Sequence, residues 1–110
     1  MNRDLRIVSE KTKPYYTLTL KNGEEYHMLQ PTLETYFKVI ELKKLEQNIE
    51  TLEESFDMGI DLVLDYMNSN IEKKKFKKSD ILKEFTIPNI QMIIGDIWNY
   101  ALGIDTEKNF

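Results

Sequence analysis

The chain has no cysteine, three prolines, four glycines and one histidine. Without cysteine there are no disulfides, no thiolate metal ligands and no thiol nucleophile. No apolar run is long enough to span a bilayer. The N-terminal stretch MNRDLRIVSEKTK carries charges throughout and lacks the apolar centre of a signal peptide. Glycine-rich phosphate loops, Ser/His/Asp sets and metal-ligand spacings are missing as well. Basic charge is in deficit, with 15 Lys and Arg against 19 Asp and Glu and a net charge of −4. A protein built to hold phosphate backbones carries a basic excess or a basic face, so nucleic acid is not an expected partner. These absences point away from an enzyme, from a cofactor or metal protein and from a membrane protein.

What is present is an ordinary apolar fraction, 41%, in 110 residues. That length suits one domain, 1–110, burying roughly two-thirds of its unfolded surface. Residues 1–13 read as a loosely held arm with a short strand near Leu5 to Val8, and Pro14 ends it. Residues 15–29 alternate and form a hairpin around Asn22-Gly23. A two-residue loop would set Leu20 against Glu25 and Leu18 against His27. A three-residue loop, Lys21-Asn22-Gly23, pairs Leu18 with Tyr26 and Tyr16 with Met28. A slip of one residue turns every side chain over, so the apolar pattern selects the longer loop. The sticky face of Tyr16, Leu18, Leu20, Tyr26 and Met28 then needs a cover, because an isolated hairpin is marginal in water.

Residues 33–102 read as a helical body. Thr32 caps a first helix with Leu33, Tyr36, Phe37, Ile40 and the stem of Lys44 as its stripe. It fades near Gln47-Asn48. The sequence Thr51-Leu52-Glu53-Glu54 has the form of a capping box and starts a second helix to about Asn68. Its expected core stripe is Leu52, Phe56, Gly59, Ile60, Val63 and Met67, with Met58 and Leu62 on another side. The stretch SNIEKKKFKK is a charged connector. Ser79 caps a short helix, Asp80 to Glu84. Thr86-Ile87-Pro88 opens a last helix striped with Ile87, Ile90, Ile93, Ile94, Ile97, Trp98, Ala101 and Leu102, which Gly103 ends. Residues 104–110 read as a flexible tail. The class is α+β, mostly α, with an N-terminal β-hairpin packed on a bundle of about four helices.

The candidate sites are few. His27 falls on the outer side of the hairpin opposite Thr17 and reads as an exposed histidine without a function. From Glu46 to Asp65 there are seven carboxylates and no Lys or Arg. Like charges at i,i+4 each cost an isolated helix about 0.2–0.5 kcal/mol, so the stripe asks for a reason. It is a solvated face, a surface for a basic partner segment, or a cation site, although carboxylates strung along a helix do not converge. Asp57, Asp61 and Asp65 lie in it, beside Met58, Leu62 and Leu64. Those three apolar residues read either as a protein-binding face bordered by charge or as core. The basic run Lys73 to Lys78 around Phe76 lacks arginine and a second aromatic platform for single-stranded nucleic acid. Pairing with the acidic stripe, within a chain or between neighbours in a ring, is the better expectation, and it leaves homo-oligomer formation open. The segment SDILKEFTIPNIQMIIGDIWNY has the outline of a helix-turn-helix. Its second helix would offer Asn89, Gln91, Met92, Asp96 and Asn99 to the bases with no basic residue, which excludes it.

The stretch LTLKNGEEYHMLQPTLETYFKVIELKK resembles the tail assembly chaperones of siphophages and related prophages of Gram-positive hosts. The shared plan is a short hairpin with a K-N-G type turn, Glu-Tyr on the return strand, a Pro-Thr helix start and acidic helices. The later SDILKEF resembles the short helix before their final apolar helix, so the likeness runs from Tyr16 to Leu102. The run Lys73 to Lys78 departs from that plan. The resemblance implies a chaperone that binds the tape measure protein, keeps it soluble and helps recruit tail tube protein. It also implies action in the host cytoplasm, absence from the mature virion, and no cofactor. Members of the family are often made in short and frameshifted long forms. Other classes fit the same residues: a structural head–tail connector or tail completion protein, or a small regulatory protein-binding domain.

Overall fold

The computed structural model describes residues 16–101: two strands, β1 (Tyr16–Thr19) and β2 (Glu25–Met28), then four α-helices. These are α1 (Leu33–Glu46), α2 (Leu52–Met67), α3 (Lys78–Glu84) and α4 (Ile87–Ala101), with a 3-10 turn at Ile49–Thr51. The fold is thus α+β and mostly helical, as expected. The N-terminal arm with its strand near Leu5 to Val8, residues Leu102 and Gly103, and the tail lie outside the described residues.

The hairpin has the register argued from its faces: Tyr16 opposite Met28, Leu18 opposite Tyr26 and Thr17 opposite His27. Leu20 N–H donates to Glu24 O at 2.8 Å, closing the loop over Lys21-Asn22-Gly23. Gly23 has φ +89°, a left-handed value that favours glycine. The Asn22 side-chain oxygen accepts from Glu24 N–H at 2.9 Å and fixes the turn from inside. Leu18, Tyr26 and Met28 are buried. Their cover includes Phe76, edge-on to Tyr26 at 5.0 Å, while Tyr66 meets Tyr16 at 6.0 Å. Tyr16 Oη donates to Asp96 at 2.6 Å and Tyr66 Oη to Leu29 O at 2.8 Å, so hydroxyl bonds tie the hairpin to α4 and α2. Beyond α2 the chain returns to β2, where Met28 bridges Asn70 and Ile71 N–H donates to His27 O at 2.8 Å.

Helices α1, α2 and α4 pack against one another, and α3 lies on α2. Two of the expected stripes are rotated. On α1 the buried residues are Val39 and Leu42, with Tyr36 stacked on Trp98 at 5.9 Å, while Leu33 and Phe37 are 73% and 58% exposed. The cause is that α1 carries apolar residues on more than one face. Val39 and Leu42 lie roughly half a turn from Leu33 and Phe37, at 100° per residue. On α2 the buried side runs through Ser55, Gly59, Leu62, Val63, Tyr66 and Met67, and Leu52 and Phe56 face outward. Gly59 permits this. A Cβ there would sit 3.2 Å from Ile94 Cδ1, so α4 approaches α2 over the bare backbone.

Helix starts also differ from expectation. Asn48, not Thr51, begins the turn into α2, accepting from Glu50 N–H at 2.9 Å. Thr51 instead donates its hydroxyl back to Leu45 O at 2.7 Å, so its capping box does not form. Helix α3 starts at Lys78, with Asp80 accepting from Lys77 N–H at 2.9 Å, which places Ser79 inside the first turn. At α4 the Thr86 and Asn89 side chains each accept from the other's backbone N–H, at 3.3 and 3.0 Å. Pro88 follows without losing a bond, because first-turn N–H groups have no helical partner.

Candidate protein-binding surface

The two halves of the expected contact face part company. Leu62 is 2% exposed and belongs to the core, while Met58 and Leu64 are half-buried against it. Met58 and Leu62 lie on the side of α2 that turns inward once Gly59 meets α4, so the apolar half of that face is packing. The carboxylates stay exposed. Asp57 and Asp61 sit 3.7 and 3.2 Å from the Lys78 ammonium, and Asp65 sits 3.3 Å from that of Lys38. Hydrogen bonds and charge from Asp61 hold Lys78 above the usual lysine range, and Asp65 does the same for Lys38. The acidic stripe therefore meets the basic run within the chain, through Lys78. Among the described residues, Lys73, Lys74, Lys75 and Lys77 make no ion pair.

The rest of the basic run is held by two asparagines that sequence reasoning passed over. Asn68 donates to Phe76 O at 3.1 Å and accepts from Phe76 N–H at 2.7 Å. Buried Asn70 donates to Met67 O and Lys74 O at 2.6 and 2.7 Å, and accepts from Lys74 N–H at 2.9 Å. Lys73, between Asn70 and Lys74, takes φ 60°. Phe76 consequently points inward, 7% exposed, and cannot serve as a stacking platform. The only sequence signal was one asparagine at the expected end of the second helix, Asn68, and another in the charged connector, Asn70.

His27 faces outward opposite Thr17, as expected, but it has a partner. Glu72 accepts from His27 N–H at 2.8 Å and lies 2.5 Å from the ring Nδ1. The backbone bond, then the ring bond, hold the Glu72 carboxyl below its ordinary range. The pair clasps the chain after α2 to β2. A cavity of about 460 Å³ opens between the hairpin tip, α3 and α4, past Lys21, Glu24, Lys74, Asp80 and Asn89. There Tyr26 donates to Glu24, which raises the phenol above its usual range. Among the described residues no set of three carboxylates or histidines is placed to hold a metal ion. No helix among them is long and apolar enough to cross a membrane.

The apolar surface that remains lies elsewhere on α2. Phe56, Leu82 and Ile87, 45%, 60% and 58% exposed, border a groove of about 320 Å³ between α2, α3 and α4. Gly59, Ile60, Ile81, Phe85, Ile90 and Ile94 line it, and Leu52, one turn before Phe56, continues its edge. Ser55 in the wall donates to Leu52 O at 2.5 Å, and Thr86 is engaged with Asn89. Among the described residues no buried side-chain nitrogen or oxygen lacks a partner. Such a groove can take up apolar side chains. Phe56 and Ile87 were visible in the sequence as stripe residues; Phe56 remains outside because α2 is rotated, and Ile87 is the exposed first residue of α4. Comparison of the chain with protein-family models, with curated proteins and with solved structures gives no match.

Proposed function

We propose that this chain is a non-enzymatic assembly chaperone of the siphophage tail type. It binds the tape measure protein, keeps that long helical client soluble and helps tail tube protein gather around it. It acts in the host cytoplasm and leaves before the virion is complete. The observation that carries the reading is the exposed apolar set Leu52, Phe56, Leu82 and Ile87 on a small, highly charged helical body. Apolar side chains grouped at a groove and bordered by carboxylates give contact area for a client while charge preserves solubility. The resemblance in layout from Tyr16 to Leu102 supplies the choice of client.

The test is co-expression with the long helical protein encoded beside it, followed by assay of the client in the soluble fraction. Client solubility should depend on this chain and be lost with Phe56→Asp combined with Ile87→Asp. A client equally soluble without the chain refutes the proposal. Recovery of the chain in purified particles would make it a structural tail or connector component instead.

A further inference from the structure

We propose that the groove between α2, α3 and α4 receives an amphipathic helix with basic flanks, presented by the client; the inference rests on the chaperone reading and names the chemistry of its ligand. The occupant is helical because the groove offers little to an extended backbone. Ser55 and Thr86 spend their hydrogen bonds locally, which leaves Glu46 and Gln91 as polar lining. A strand laid there would bury unpaired N–H and C=O groups, whereas a helix satisfies its own. Its apolar residues at i, i+3, i+4 and i+7 span about two turns, the length over which residues 87–94 of α4 line the trough.

The flanks are basic because the walls differ in charge. Glu53 and Asp57 stand at i−3 and i+1 from Phe56, on the side of α2 turned away from α4. The opposite wall, residues 87–95 of α4, carries no charge. Among the described residues Glu53 makes no ion pair, and Asp57 shares Lys78 with Asp61 at the longer distance of 3.7 Å. One side of the trough thus holds carboxylates with spare capacity for Lys or Arg. A second copy of this chain fits poorly. Its basic run has Phe76 buried and its backbone latched. The outer face of α1, Leu33 and Phe37, is flanked by Glu34, Lys38 and Glu41, of both signs.

The experiment titrates the full chain into two dye-labelled synthetic helices of about five turns with the same leucine stripe, one flanked by Lys and one by Glu. Fluorescence anisotropy should show the Lys peptide binding at least about tenfold more tightly, with the preference shrinking as salt rises. Phe56→Ala should weaken the Lys peptide about tenfold while leaving the circular dichroism spectrum unchanged. Glu53→Gln with Asp57→Asn should remove the preference for Lys and keep the apolar binding. Equal binding of both peptides, binding of neither, or no effect of Phe56→Ala overturns the inference. So does a self-association that Phe56→Ala abolishes, since the occupant is then a second copy. Failure here with a client still dependent on the chain leaves the chaperone reading standing. The expected peptide preference with an indifferent client overturns that reading and not the groove.

Discussion

Gly59 and Gly95 both lie inside helices, yet alanine should act differently at the two. In a helix interior alanine is favoured over glycine by about 0.8–1.0 kcal/mol, because glycine gives up more backbone freedom on folding. At Gly95 a Cβ would find no atom within 4 Å, so the whole gain should appear. At Gly59 the same methyl would lie 3.2 Å from Ile94 Cδ1, 3.8 Å from Ile90 Cγ2 and 3.9 Å from Leu42 Cδ2. Ile94 is 5% exposed, and its terminal methyl must shift by a few tenths of an ångström to admit the new Cβ. Overpacking of this kind costs about 1–3 kcal/mol. The net for Gly59→Ala is therefore between about zero and 2 kcal/mol of destabilisation, against a gain of about 1 kcal/mol for Gly95→Ala. Urea unfolding followed by far-ultraviolet circular dichroism measures both, with an unchanged slope as the condition for reading the midpoints as stability. Equal stabilisation by the two variants would refute the reasoning, since it would mean that α2 and α4 do not meet closely at Gly59. A loss at Gly95 would show that this side of α4 is covered.

Asn70→Ala strips Lys74 of both its backbone bonds and Met67 O of one, and should cost about 2–4 kcal/mol, read as a lowered thermal midpoint; a change below about 0.5 kcal/mol would show that water replaces the latch. Glu72 has a folded pKa depressed by His27, so its contribution is present at neutral pH and is lost as pH falls through the ordinary glutamate range of about 4.3 and below. The stability gap between wild type and Glu72→Gln should therefore close between about pH 5 and pH 3, and a gap independent of pH would contradict the assignment. Leu62→Asp should unfold the chain, because it buries a charge at a position 2% exposed, whereas Phe56→Asp at 45% exposure should leave the far-ultraviolet spectrum native. Indistinguishable spectra from these two variants would put the division between core and groove in the wrong place.

The hairpin was legible down to its register because two independent local signals agreed: the left-handed demand of the turn at Gly23 and the alternation of Leu18, Leu20, Tyr26 and Met28. The four helices were legible from periodicity and breakers. Which face of each helix turns inward was not. Helix α1 places Leu33 and Phe37 on one side and Val39 and Leu42 on the other, and only the partners decide between them. On α2 the decision came from Gly59, whose missing side chain draws α4 onto its own side and carries Leu62 inward with it. The carboxylates of the candidate site were legible as exposed; its apolar part was not, because a groove is made by three helices and periodicity sees one at a time. The latch residues Asn68 and Asn70 were invisible for a related reason. Asparagine in a polar stretch signals a loop, and its bonds reach backbone groups that only a closed loop presents.

Lys73, Lys74, Lys75, Lys77 and Lys78 put five trypsin sites into the six residues 73–78, which on composition alone is where a protease would cut first. Cleavage needs the backbone drawn out into an extended strand within the enzyme. Here Lys74 and Phe76 have both their N–H and C=O groups tied to Asn70 and Asn68. Digestion at this segment is therefore limited by the rate and extent of latch opening rather than by the abundance of lysine. A limited trypsin digest of the folded chain is in effect a clock for that local opening, and anything that tightens the contact between the end of α2 and the hairpin will slow it.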